Sequence, residues 1–173
     1  MEQKVTSHIV KGLVISLILL VISLTAHFTD QSQSTWGKWA PSIILCAGVI
    51  WACLNYAKQM NHNVTFGNVF AHGFKVSAVV TVFSIIFSVV FLLLMPEVKE
   101  KAIETARQQM EEGGKMSSDQ IEQAMGMTDR LFYVFLIGGI ILIYLIIGLI
   151  SSLIGAAVAK KDPRAPFETN SNL

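Results

Sequence analysis

Ser77, Thr81, Ser84 and Ser88 recur at alternating four- and three-residue steps inside a block that carries no charge from residue 76 to residue 96. At roughly 100° per residue those steps set four hydroxyls on one face of a helix. Such a row admits two chemistries. Hydroxyls can bond across a close helix–helix contact, or they can line a path for a polar solute. A second row, Gly12, Ser16, Ser23 and His27, falls within about 60° on the first apolar block. A third places Gly148, Ser152 and Ala156 at four-residue spacing on the last block, with Ser151, Gly155 and Ala159 beside them. Small residues at i and i+4 let helix backbones approach closely. Periodicity alone does not separate a packing seam from a solute path.

Other reactive types are sparse. Of the four histidines, His8, His62 and His72 are expected near one end of the apolar blocks and His27 near the other. Three could share a metal and two could ligate a haem, but none stands at i, i+3 or i, i+4 from another ligand. Metal and cofactor are therefore expected to be absent. Cys46 and Cys53 lie seven residues apart in one block, about 10 Å along a helix axis, too far for a bridge between them. They read as small apolar residues. Catalysis inside the apolar blocks would need a nucleophile paired with a base at matching depth, or an Asp cluster for a metal. Neither pattern occurs, so no catalytic residue is expected and the chain reads as a non-enzyme.

The elements that must carry these residues are set by where charge is missing. Of 173 residues 53% are apolar and 14% charged, against about 25% charged in an ordinary soluble domain. No Asp, Glu, Lys or Arg lies between Lys11 and Asp30, Lys38 and Lys58, Lys75 and Glu97, or Arg130 and Lys160. Each gap is close to or above the ~20 residues that cross a bilayer core of ~30 Å. The pattern predicts an all-α, polytopic integral membrane protein, and excludes a soluble enzyme, a nucleic-acid binder and a secreted disulfide scaffold.

The expected layout is one membrane domain over residues 1–161 and a disordered tail over 162–173. Spans are predicted at about 9–28, 39–58, 74–95 and 131–159, the second opening near Pro41 after interfacial Trp36 and Trp39. Phe66, Phe70 and Phe74 suggest a short interfacial helix that feeds the third span. Residues 97–130 hold eight acidic and five basic residues. Their apolar stripe, Val98, Ala102, Ala106 and Met110, points to an amphipathic helix stopped by Gly113 and Gly114. Ser117 and Gln120 have the form of a capping box that opens a second helix, with Ile121, Ala124 and Met125 on its apolar face. The result is a water-exposed hairpin whose apolar faces, Val98, Ala102, Ala106, Met110, Ile121 and Met125, either meet one another or dock a partner. Lys4, Lys11, Lys58, Lys75, Lys160, Lys161 and Arg164 share the side of the termini, most of them at span ends. The positive-inside bias then puts both termini in the cytoplasm and the hairpin outside.

From Phe66 the order of features becomes specific. Phe66-Gly67-x-x-Phe70-x-x-Gly73, Pro96 at the close of the third span, the Gly113-Gly114 break, and a run from Leu149 to Ala157 before Lys160-Lys161 follow one another. In this the chain resembles the family catalogued as domain of unknown function 4199, small membrane proteins found mostly in Bacteroidota. The resemblance implies a four-span protein of a bacterial inner membrane with no assigned activity, so no catalytic residue carries over. Small size, small-residue rows and absence of charge deep in any span favour an accessory or scaffold subunit of a larger membrane assembly. A small channel or facilitator, lined by the hydroxyls of spans 1 and 3, is the alternative. Expected partners are the bilayer and a second copy or a larger membrane complex, with no nucleic acid.

Overall fold

A computed structural model describes residues 5–29, 34–114 and 116–159. Every regular element among them is helical. Helix α1 (His8–Phe28) starts at Ser7, whose hydroxyl accepts from the Val10 N–H. Helix α2 (Thr35–Gln59) starts at Ser34 in the same way, accepting from Gly37. Helix α3 (Phe66–Leu94) is capped by Thr65. Each hydroxyl satisfies one of the amides that a helix start leaves without an intrahelical partner. A break at Met95 lets Pro96 open α4 (Pro96–Glu112), where its missing N–H costs nothing. Gly114, at φ 59°, closes that helix. Ser117 and Gln120 form the reciprocal capping box at the start of α5 (Ser118–Arg130), and only Leu131 separates α5 from α6 (Phe132–Val158).

Four of these helices are long and apolar enough to cross a membrane: His8–Phe28, Trp39–Gln59, Phe66–Leu94 and Phe132–Val158. The protein is an all-helical polytopic membrane protein. Two helices begin earlier than the sequence pattern indicates. α2 starts at Thr35 and holds Pro41 inside the helix, although its apolar stretch, Trp39–Gln59, coincides with the span expected at 39–58. The step from Phe66 to Phe74, expected as a separate interfacial helix, is the first two turns of α3. There the rings of Phe66, Phe70 and Phe74 stack along one face, with centroids 6.5 and 6.1 Å apart. Burial of Val69 and Gly73 in the bundle outweighs the weak helix propensity of Gly67 and Asn68. The tail expected to be disordered lies outside the described residues.

α3 is the hub. It packs against α1, α2 and α6, and α2 packs against α1 and α6, whereas the backbones of α1 and α6 come nowhere within 8 Å, Cα to Cα. The core is built by Ile15 and Leu19 of α1, Leu45, Val49 and Cys53 of α2, Val69, Val76 and Val80 of α3, and Ala156 of α6. Most of it lies in the half of the bundle where residues 5–7, the α2–α3 turn and the end of α6 come together. Large apolar side chains such as Leu17, Leu93, Leu94 and Val134 point outward. In lipid they are in a matching solvent, so what orders the helices is close packing and hydrogen bonding rather than burial from water.

Candidate functional site

The two halves of the bundle are built differently. In the half near the termini, backbones meet at small residues. A methyl group added to Gly148 would strike the side chain of Ser77, and one added to Gly73 would strike Cys53 Sγ and lie 2.8 Å from Ser152 Oγ. One added to Gly155 would lie 2.7 Å from Cys53 Cβ, and one on Gly12 2.6 Å from Val79 Cγ1. The row expected on α6, Gly148, Ser152 and Ala156, thus faces α2 and α3 and is buried throughout. Gly12 of the α1 row and Ser77 and Thr81 of the α3 row are buried in the same half.

Three hydroxyls of these rows bond within their own helices. Ser77 Oγ donates to the Phe74 carbonyl at 2.9 Å, Thr81 Oγ1 to the Ser77 carbonyl at 2.8 Å, and Ser16 Oγ to the Gly12 carbonyl at 2.8 Å. Ser151 and Ser152 are buried, and neither hydroxyl has a hydrogen-bond partner among the described residues. Their value to the fold is size, because a larger side chain would push α6 away from α2 and α3.

A polar group that sequence reasoning placed only at a span end closes this half. Lys11 is 2% exposed. Its ammonium donates to the Ala52 carbonyl at 3.4 Å and to Gln59 Oε1 at 3.5 Å, and stands 5.8 Å from the centre of the Tyr56 ring. Gln59 is held in turn by Thr6, whose N–H donates to Oε1 at 3.0 Å and whose hydroxyl accepts from Nε2 at 2.9 Å. Tyr56 stacks on His72 at 4.2 Å, and His8 meets the same imidazole edge-on at 6.3 Å. His8 and His72 are thereby brought together, but no three His, Cys, Asp or Glu side chains among the described residues are placed to hold a metal. Lys11, Ile15 and Leu19 are all buried and share one helical face at i, i+4 and i+8.

Toward the hairpin the helices part. A cavity of about 550 Å³ lies between α1, α3 and α6, with Val98 of α4 at one end. Ser16, Ser23, Ser84 and Ser88, the remaining hydroxyls of the two rows, line it together with Tyr144. Ser84 and Tyr144 are neighbours there. The rest of the wall is Leu, Ile, Val and Phe, including Leu20 and Phe87. His27 meets Phe91, a wall residue, edge-on at 5.1 Å.

The hairpin α4–α5 stands beyond this cavity. Ile121 and Met125 are buried, Val98, Ala106 and Met110 are half-buried, and Ala102 is exposed. Lys99 Nζ bonds Asp129 Oδ1 at 2.8 Å, which ties α4 to α5, and lies 5.6 Å from the Phe132 ring and 6.0 Å from the Tyr133 ring. The hydrogen bond to Asp129 raises the Lys99 pKa above its ordinary 10.5.

The arrangement offers two features with functional scope: a laterally accessible apolar cavity with isolated hydroxyls, and a charged hairpin beside its end. A family model described as "Protein of unknown function (DUF4199)" matches residues 10–161. No curated protein and no solved structure matches the chain.

Proposed function

The chain belongs to the DUF4199 family, and from that premise we propose that it is a non-enzymatic accessory or scaffold subunit of a larger membrane assembly. In this reading the protein sits in a bacterial inner membrane with both termini in the cytoplasm. The tightly packed half fixes the bundle, and the hairpin on the outer side meets the partner. The observation that supports it is how the hydroxyls are used. Ser16, Ser77 and Thr81 donate to carbonyls of their own helices, and glycines close the helix contacts beside them. A path for a polar solute needs hydroxyls free to replace solvent along its length.

The test is purification of the tagged protein at native expression level in mild detergent, followed by a native gel and mass spectrometry of the band. A stoichiometric membrane partner is the expected result. A lone monomer or homo-oligomer would move the reading to a facilitator. Liposome flux would then be lost in Ser84→Leu or Thr81→Leu without loss of folding.

A further inference from the structure

We propose that the cavity between α1, α3 and α6 is a lipid site that holds one acyl chain of a phospholipid from the leaflet on the hairpin side. This inference is independent of the accessory-subunit reading and rests on the shape, depth and chemistry of the cavity.

The gap exists because α1 and α6 both pack on α3 while their backbones stay more than 8 Å apart, Cα to Cα. Its wall on α1 runs from Leu13 to Leu24, and on α3 from Phe83 to Leu92. At 1.5 Å per residue these are about 16 and 14 Å of helix, which matches half of a ~30 Å hydrocarbon core. On α3 and α6 the lining lies in the hairpin-side half of the helix, and on α1 it continues past mid-helix to Leu13, a depth that accommodates one lipid chain. At about 550 Å³ it falls within the ~300–1,000 Å³ typical of sites for small ligands.

The wall chemistry selects hydrocarbon over water or a polar solute. Of the five lining hydroxyls, Ser84 and Tyr144 are neighbours, and Ser16 donates to the Gly12 carbonyl. Ser23 and Ser88 stand amid Leu, Ile, Val and Phe, and five hydroxyls spread over an eighteen-residue lining are too few to hold a file of waters, each of which needs two to four partners. The occupant must also come from the side. Leu17, Phe83, Ile86 and Val90 line the cavity and are exposed at its rim, so it communicates with the lipid phase rather than with either aqueous face.

Native mass spectrometry on full-length protein, extracted in mild detergent and washed with detergent micelles, tests this. The wild type should keep one phospholipid per chain. Ser23→Trp combined with Ser88→Phe fills the cavity and should lower that occupancy at least five-fold. Ile146→Phe, on the outward face of α6 and away from the cavity, should leave it unchanged. Absence of retained phospholipid in the wild type, a bound detergent molecule only, or equal occupancy in the filled variant would overturn the proposal. Should the filled variant fail to fold, a second measurement uses the wild type alone. Reconstituted in vesicles of phosphatidylcholine with a diazirine at mid-chain, it should be labelled preferentially on Leu20, Phe87 and their neighbours in the cavity. Labelling spread evenly over outward residues such as Val134, Leu142 and Ile146 would overturn it.

Discussion

Lys11 has two neutral oxygens within hydrogen-bond reach, at 3.4 and 3.5 Å, and 2% of its surface exposed. Bonds this long recover little of what the ammonium loses on leaving water. Replacement by an apolar side chain of similar reach removes that cost and keeps the packing. Lys11→Met should hold or raise the thermal midpoint in detergent, whereas Lys11→Ala should lower stability by about 1–3 kcal/mol through the space it empties. Gly148 makes the opposite argument. Gly148→Ala drives a methyl into Ser77 and should cost about 1–3 kcal/mol as overpacking. Ser77→Gly in the same chain should recover most of the loss, so that a double-mutant cycle shows strong coupling between the two. The rows that carry Gly148 and Ser77 were legible from four-residue spacing. Their pairing with each other was not, because periodicity gives the face of a helix and not its neighbour. The burial of Lys11 was masked by its position: a lysine one turn into an apolar run also fits a side chain that reaches back to the interface.

The helices that the sequence made plain are those bounded by local chemistry. Pro96, the Gly113-Gly114 break and the Ser117–Gln120 box mark ends through backbone rules that act within four residues. The starts of α2 and α3 were less visible. Thr35 to Ala40 and Phe66 to Phe74 are helical because their helices are anchored further along, and caps at Ser34 and Thr65 carry the start outward past Pro41 and Gly67. The hairpin buries Ile121 and Met125 and is tied in addition by the surface Lys99–Asp129 pair, whose pH response follows from the raised lysine pKa. A group whose pKa is higher in the folded state contributes stability below its unfolded value and loses it as pH rises through the folded one. The hairpin should therefore keep its geometry at neutral pH and loosen only above about pH 10.5. Pulsed EPR distances between spin labels at Met116→Cys and Val134→Cys, in a chain freed of native cysteines, should broaden there. Asp129→Asn should show the broadening at pH 7.

Across the whole molecule, one end is closed by glycine contacts and capped by Lys11, Gln59 and Thr6, and the other is open and carries the hairpin. Four spans, an all-helical fold and the place of the hairpin could be read from charge gaps and amphipathic spacing. Which pairs of spans touch could not, and the cavity is a product of that pairing. The orientation we propose is checked by membrane-impermeant maleimide on intact cells, again without native cysteines. Met116→Cys on the hairpin should label, and Val5→Cys at the other end should label only after the membrane is opened. The reverse pattern would place the termini outside.

The separation of the α1 and α6 backbones bears on how the chain is made. α1, α2 and α3 already contact one another in every pairing, so they can associate before α6 leaves the ribosome. The last span then docks on a surface of α2 and α3 that is waiting for it, with the hairpin as a tether. Cut between Gly113 and Gly114, the two fragments should find each other in the membrane when co-expressed and co-purify chiefly through the α6 seam, with the α4–α5 contacts beside it. Gly148→Leu in the second fragment should abolish that reunion, because assembly depends on a docking groove and not on the continuity of the chain.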